Sequence, residues 1–459
     1  MLDQALVQAH DQEVDEIAVA AAHAQQFLRQ PAGAGKAAAA PDLTVAIVGL
    51  GYVGLPTAIA LASGGVQVIG LDSSAARLTA IRSGAVDLLD SDSELLSKAL
   101  TRHLDLTTDA AMIATADAVV ICVPTPVDAH LIPDLRPLAT ACASVAKHAR
   151  AGQTIILTST SYVGTTRDLL VTPLQARGLR IGADVYVAFS PERINPGDSH
   201  YAHSTVPRVV GGVTAECGER AAAILSRTTE RIHAVSSPEA AELTKLFENT
   251  FRAVNIALAN EMATASAALS VDVTEVIDAA ATKPYGFMPF APGPGVGGHC
   301  IPCDPHYLLW QLRTQRVELP LVESAMRDIA GRPTQVVTRI RDLLGDRGRS
   351  VRGSRIAVVG VAYKPGVEDV RESPALEIMA RLRELGAEVG FVDPYVRSIR
   401  LPDGTEVIGW QPLQELAEAL DLAVLHTRHP DTDLGWLKAV PTVLDATYRA
   451  IDLDHRSLV

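Results

Sequence analysis

The sequence predicts an α/β protein: two doubly wound α/β domains joined by a central helical region that contains one long helix. Three observations predict it. Short apolar strand runs alternate with helical stretches at both ends of the chain. A glycine-rich turn opens the first alternation, and a long run without Gly or Pro fills the middle. Strands that alternate with helices form parallel sheets covered on both faces.

The elements follow in order. Residues 1–41 read as an Ala-rich arm, with Leu2, Ala5, Leu6 and Ala9 at helical spacing and PAGAGKAAAAPD as a linker; the expected state is a poorly packed tail. Residues 42–235 form the first α/β domain, with TVAIVG, VQVIGLD, DAVVICVPTP, TIILTST and VYVAFSP as strands. Residues 236–345 form the central region. Ser237 caps the long helix and Pro238 suits its first turn. A second helical block covers 304–345 and is expected to break at Gly331 and Pro333. Residues 350–459 restart the alternation with SRIAVVG, EVGFVDP, LAVLHT and TVLDAT. There Ser373 caps SPALEIMARLRELG, with Pro374 at its first position.

Bulk properties bound the function. The 459 residues exceed one ordinary domain. A net charge of −13 without a basic run argues against a nucleic-acid partner, though not against an anionic ligand. Five cysteines, Cys122, Cys142, Cys217, Cys300 and Cys303, are too sparse for a disulfide framework and imply a reducing, cytoplasmic setting. No apolar run is long enough for a membrane span, and the acidic start is no signal peptide.

Gly49, Gly51 and Gly54 form G-L-G-Y-V-G directly after the first strand, and a helix-forming run follows from about Pro56. Such glycines allow a tight turn and close approach of backbone to a pyrophosphate at a helix N-terminus. Asp72 ends the next strand, where ribose hydroxyls belong. Strand, turn, helix and acid in this register make the domain Rossmann-like and predict NAD. Tyr52 and Val53 inside the turn, and Pro124 and Thr125 after the strand DAVVICVPTP, join the expected cofactor contacts. The Asp72 carboxylate disfavours a 2′-phosphate, whereas nearby Arg77 could accommodate one.

PGPGVGGHCIPCDPHYLLW is too rich in Gly and Pro for regular structure, so a shaped loop precedes Cys300. Asp304 reads as an N-cap that could also order a water, with Pro305 as the first helical residue. Cys300 would then lie before a helix N-terminus, which lowers a thiol pKa. A covalent nucleophile, a metal site of His299, Cys300, Cys303 and His306, and a redox pair or inert core cysteines all remain open; the nucleophile is the preferred reading and no metal is expected. Lys245 and Asn249 share one helix face. The apolar residues around them, Leu243, Leu246, Phe247 and Phe251, suggest a buried polar pair over a solvated face. Glu192 follows a strand at its carboxyl end, where ligands bind, or is a surface charge.

Over residues 44–450 these segments resemble the UDP-glucose/GDP-mannose dehydrogenase family. The resemblance rests on VGLGYVGLP, CVPTP, TSTSYVGTT, SPERINPG, ELTKLFENTFRAVNIALANE, ATKPYGFMPFAPGPGVGGHCIPCDP and GVAYKPGVEDVRESPA. It implies an NAD-dependent oxidation of the C6 hydroxymethyl of a UDP-sugar to the carboxylate. The route is a thiohemiacetal and a thioester on Cys300. It also implies roles. Lys245 stabilises an oxyanion, Asn249 holds the sugar, Asp304 and Thr160 order water, and Glu192 serves acid/base or water positioning. Gly295, Val296 and Gly297 give backbone contacts to substrate, with Arg193, Tyr363 and Arg449 as further contacts. Lys364 pairs with the diphosphate, Arg371 with the cofactor of the adjoining active site, and Lys283 reaches a neighbouring subunit's substrate in a homodimer built on the long helix. Two positions depart from the glucose-oxidising pattern, Arg193 and Pro196, and Cys303 stands where a lysine is common. The pattern is nearer the N-acetylhexosamine branch, with UDP-N-acetylglucosamine foremost and UDP-N-acetylmannosamine or UDP-glucose as alternatives. A two-electron β-hydroxyacid dehydrogenase and a non-catalytic sugar-nucleotide binder are the rival classes.

Overall fold

The structure is a computed structural model. It describes residues 43–459 apart from 87–89, 129, 194–202, 299, 412–413, 431, 450–452 and 454–455. The arm 1–41, Pro196 and His299 therefore lie outside the described residues.

The first sheet has eight strands: β1 Thr44–Val48, β2 Gln67–Leu71, β3 Leu104–Thr107, β4 Ala118–Ile121, β5 Thr154–Leu157, β6 Tyr186–Phe189, β7 Arg208–Gly212 and β8 Ile232–Val235. Their order is β3-β2-β1-β4-β5-β6-β7-β8. The first six reproduce the dinucleotide-fold order 3-2-1-4-5-6, which reverses direction between β1 and β4 and opens a crevice at their carboxyl ends. The strands read as unbroken apolar runs because helices cover both faces; Ile121, Ile155, Leu157, Val187 and Phe189 are fully buried. The strands expected from the sequence, β1, β2, β4, β5 and β6, pair in parallel; β7, beyond them, pairs antiparallel with β6.

The second sheet consists of β9 Arg355–Val359, β10 Glu388–Val392, β13 Leu422–Leu425, β14 Val443–Asp445 and β15 Arg456–Leu458, beside a small pair, β11 Ser398–Arg400 and β12 Glu406–Ile408. Its order β10-β9-β13-β14-β15 is the other doubly wound pattern, with all pairs parallel.

Six helices matter for the site. These are α1 Gly54–Ser63, α2 Pro238–Ala268, α3 Val273–Ala281, α4 Asp304–Arg313, α5 Pro320–Gly345 and α6 Pro374–Glu384. The 31 residues of α2 start as expected: the Ser237 hydroxyl accepts from the Ala240 N–H at 3.2 Å and Pro238 is the first helical residue. Such a helix is about 47 Å long. The second helical block corrects the expectation. It does not break at Gly331 or Pro333; the gap falls between Arg313 and Pro320, and α5 runs unbroken for 26 residues with Pro333 inside. Pro333 forfeits one backbone bond, but its face is buried along with Ile329, Arg332, Val336 and Ile340, so packing overrides propensity. Ser373 precedes α6 as expected, yet its hydroxyl makes no capping bond.

Candidate active site

The glycine turn after β1 has a geometry only glycine tolerates at two of its three positions. Gly49 adopts φ +90°, and a Cβ there would come within 2.8 Å of the Cys122 carbonyl. A Cβ on Gly54, where α1 begins, would overlap the Gly49 carbonyl. Gly51 faces open space, so nothing of the chain blocks approach to its backbone. Asp72 braces the turn: its carboxylate accepts from the Leu50 N–H and the Ser74 N–H, each at 2.9 Å. Arg77 is committed on the other side of the same residue, donating to the Leu50 carbonyl at 3.0 Å. A turn open at Gly51, a helix N-terminus and a carboxylate beside them fit a dinucleotide. Pro124 and Thr125 follow β4. The Ser159 hydroxyl, after β5, donates to the Val123 carbonyl at 2.8 Å and joins their loop to the one bearing Thr160.

Cys300, Lys245, Asn249 and Asp304 come together. The Asn249 amide donates to the Asp304 carboxylate at 2.5 Å, and the charges of Lys245, Arg252 and Arg371 act on Cys300. Two expectations are corrected. Asp304 is not the N-cap but the first residue of α4; Cys303 holds the cap position. Nor is the Cys300 thiol acidified by the helix. Burial pushes it up to about 11, Asp304 adds to the rise, and the three basic side chains only partly oppose it. Cys303 is buried, with its thiol pushed up to about 12 by burial. Burial likewise raises Asp304 to about 6, against Lys245 and the Asn249 hydrogen bond.

The surroundings of Lys245 also differ from expectation. Leu246 is buried, but Leu243, Phe247 and Phe251 are exposed. The apolar residues form an outward stripe, continued by Leu258 and Met262, and not a wall around Lys245.

Residues that the sequence reading did not single out hold this cluster. Glu242, one turn before Lys245 and almost fully buried, accepts from the Gly164 N–H at 2.6 Å and from the Thr166 N–H and hydroxyl at 2.9 and 2.7 Å. Gln311 on α4 accepts from the Val163 N–H at 2.9 Å and returns a bond to its carbonyl at 2.7 Å. The Thr160 loop is thereby tied to both α2 and α4. Sequence reading missed Glu242, Gln311 and Arg252; Glu242, three residues before Lys245, and Arg252, three after Asn249, carried a signal in their helical spacing, and Gln311 carried none.

Glu192 is no surface charge. It pairs at 2.8 Å with Arg208, a buried residue of β7. Arg193 pairs with Glu248 of α2 at 2.7 Å and donates to the Pro207 carbonyl at 2.7 Å.

The second sheet closes over the loop of Cys300. The Gly298 N–H donates to the Arg371 carbonyl at 3.0 Å. A Cβ on Gly297 would lie 2.7 Å from the Tyr363 Cβ, and one on Gly295 2.8 Å from the Pro374 Cγ. Tyr363 thus sits beside Gly297 and Gly298, and the Lys364 ammonium lies 6.0 Å from the centre of the Tyr363 ring. The Arg371 guanidinium pairs with Asp369 and lies 4.1 Å over the Tyr52 ring, so within one chain it reaches the glycine turn. Arg449 is exposed beyond the carboxyl end of β14. Lys283 is exposed past α3, its ammonium 4.9 Å from the centre of the Tyr285 ring. Among the described residues, no cluster of three or more His, Cys, Asp and Glu side chains could hold a metal.

A dinucleotide turn, a half-buried cysteine and lysine gathered at a buried aspartate, and a second nucleotide-type sheet define a dehydrogenase. The comparisons with known proteins specify it. The chain matches three models of the UDP-glucose/GDP-mannose dehydrogenase family: the NAD binding domain over residues 43–229, the central domain over 239–328 and the UDP binding domain over 357–452. It belongs to that family and is an NAD-dependent UDP-sugar dehydrogenase. It is 36% identical to UDP-N-acetyl-D-glucosamine 6-dehydrogenase of Pseudomonas aeruginosa, over 77% of this chain and 83% of the relative. It is 34% identical to UDP-N-acetyl-D-mannosamine dehydrogenase of Pyrococcus horikoshii, over 85% of this chain and 90% of the relative. The solved UDP-D-ManNAc dehydrogenase structure from Pyrococcus horikoshii superposes with a TM-score of 0.80 at 33% identity, over 88% of this chain and 95% of that one. A UDP-glucose dehydrogenase structure from Pyrobaculum islandicum also gives 0.80, at 26% identity, over 94% and 98%.

Proposed function

We propose that the chain oxidises the C6 hydroxymethyl of a UDP-N-acetylhexosamine, foremost UDP-N-acetylglucosamine, to the carboxylate through a thioester on Cys300. The single observation that carries this is the convergence of half-buried Cys300, Lys245 and Asn249 on the buried Asp304. Gly49, Gly51, Tyr52, Val53, Gly54 and Asp72 would hold NAD, which would supply the hydride acceptor for each of two oxidations.

The side chains supply the rest. The C6 hydroxyl gives its proton to the water that Asp304 and Thr160 order, the Lys245 ammonium stabilises the alkoxide, and loss of the first hydride leaves the aldehyde. The Cys300 sulfur then bonds to the aldehyde carbon, and the thiol proton passes to the carbonyl oxygen beside Lys245. Loss of the second hydride, with the hydroxyl proton returning to the same ordered water, leaves the thioester. Asp304, its pKa near 6, and Thr160 order the water that attacks it. The C–S bond breaks, and Cys300 recovers its proton. Glu192, paired with Arg208, positions water. Gly295, Val296, Gly297, Tyr363, Lys364, Arg449 and Arg193 hold the UDP-sugar.

The relatives support the N-acetylhexosamine class, and the Pyrococcus horikoshii likeness favours UDP-N-acetylmannosamine as the second reading. The fold itself does not discriminate, since the UDP-glucose enzyme superposes equally well. The test is NADH release with UDP-GlcNAc, UDP-ManNAc, UDP-GalNAc and UDP-glucose in parallel. A marked preference for UDP-glucose overturns the class assignment, and binding without NADH indicates a non-catalytic binder.

The homodimer is part of the same proposal. Leu243, Phe247, Phe251, Leu258 and Met262 form one exposed apolar stripe on α2, with Phe247 67% exposed. A second copy crossing on α2 covers it. Light scattering is expected to give twice 48.5 kDa, and Phe247→Glu the monomer. A wild-type monomer refutes this.

A further inference from the structure

Arg332 is a charged side chain with almost no exposure, at 1%. It lies in the middle of α5, directly before Pro333. Its donors reach two other parts of the chain as well as its own helix. Nε donates to the Gly293 carbonyl at 2.8 Å, one terminal nitrogen to Gln335 Oε1 at 2.7 Å, and the other to the Tyr448 hydroxyl at 2.9 Å. These acceptors are neutral; Asp328, one turn earlier, opposes the charge only through space. Burying a charge without a directly paired carboxylate is unfavourable, and an apolar side chain of similar volume would fill the space without that cost. The reason to keep the guanidinium lies in what it joins.

Gly293 heads the loop that ends at Cys300, and both its backbone groups are held. Its N–H donates to Asn260 Oδ1 on α2 at 3.0 Å, and its carbonyl accepts from Arg332. Two residues on, Gly295 is wedged between two prolines: a Cβ there would lie 2.8 Å from the Pro374 Cγ and 3.7 Å from the Pro333 Cδ. Arg332 and Pro333 together therefore seat this loop. At the other end of the connection, Tyr448 has φ +60°, a backbone region a tyrosine adopts only where its surroundings enforce it. It directly precedes Arg449. Its hydroxyl donates to the Val459 carbonyl at 2.7 Å while accepting from Arg332.

We propose that Arg332 is a positioning residue that couples the carboxyl end of β14, at Tyr448 and Arg449, to the placement of the Cys300 loop. Substrate held at the second sheet and the nucleophile's loop are then set by one buried joint. This rests on the reading that Arg449 and Gly295, Val296 and Gly297 contact the UDP-sugar.

The test compares full-length wild type, Arg332→Met, Tyr448→Phe and the double variant. The readout is the rate of Cys300 alkylation by iodoacetamide, measured by peptide mass, with and without UDP-GlcNAc. The expected result is several-fold faster alkylation in both single variants. The UDP-GlcNAc concentration that half-protects Cys300 rises about tenfold for Arg332→Met, as for loss of one or two hydrogen bonds to a charged group. The double variant is no worse than Arg332→Met, and the KM for NAD is unchanged. Tyr448→Phe removes one oxygen and serves if Arg332→Met does not fold. A folded variant with wild-type alkylation and protection overturns the proposal, and so does failure of both variants to fold, which makes the joint merely structural. If UDP-GlcNAc protects nothing in wild type, the substrate reading fails, while the alkylation ratio without ligand still decides the role of Arg332.

Discussion

Replacing Asp304 with Asn is expected to stabilise the fold at neutral pH and to leave it unchanged in acid. The carboxyl is 3% exposed and accepts the Asn249 amide. Burial raises its pKa from 3.8 to about 6, against the opposing pull of Lys245 and Asn249. A pKa raised in the folded state means that the fold prefers the neutral acid. The stability this group contributes is whole below about pH 4 and lost as pH rises through about 6. Above that, the ionised carboxylate costs about 3 kcal/mol, since the rise is about two pH units at ~1.4 kcal/mol each. Asn keeps the shape and an acceptor for Asn249 and cannot ionise. Urea unfolding followed by circular dichroism from about pH 3.5 to about pH 8 measures the difference. Asp304→Asn is expected to exceed wild type by about 3 kcal/mol at the alkaline end, with the gap closing by ~1.4 kcal/mol per pH unit between about 6 and about 4. A gap that ignores pH, or a less stable variant at neutral pH, refutes the reasoning.

Three other outcomes follow from the same geometry. With the Cys300 thiol pushed up to about 11, its alkylation by iodoacetamide without ligand is expected to rise about tenfold per pH unit to beyond about pH 9; a plateau near neutrality would show a helix-acidified thiolate instead. Gly54→Ala drives a Cβ into the Gly49 carbonyl, and NAD affinity measured by calorimetry is expected to fall at least about tenfold while UDP affinity holds; unchanged NAD affinity contradicts the turn's role. Glu242→Gln turns an amide NH2 toward donors at Gly164 or Thr166, so urea unfolding is expected to show a loss of about 1–3 kcal/mol, and equal stability means that this tether is dispensable.

Much of the architecture was legible because its causes are local. The G-L-G-Y-V-G turn declares itself through backbone that only glycine tolerates, the Ser237–Pro238 start of α2 through capping, and the strands through unbroken apolar runs. Other features depend on contacts remote in sequence. Nothing within β7 marks it as antiparallel, because strand direction is set by the partner. Pro333 read as a helix break because its burial against Gly295 is invisible in a propensity. Cys300 read as acidic because proximity to a helix start can be seen in a sequence, whereas burial beside Asp304 cannot. Glu242, Gln311 and Arg332 act through bonds to residues far along the chain; Glu242 opens the ELTKLFENTFRAVNIALANE motif without any sign of its partner, and no motif contains the other two. The motifs supplied the candidate groups that the structure brings together; the side chains that hold them in place emerged only from the folded geometry.

The central claim is that Cys300 carries the sugar between two oxidations. The most direct measurement is NADH formed per UDP-GlcNAc consumed, with the product identified by mass, for wild type and Cys300→Ser. The account predicts two NADH and the uronic acid for wild type, and no acid from the variant although it still binds NAD and UDP-GlcNAc. One NADH per sugar in wild type, or undiminished acid from Cys300→Ser, would contradict it.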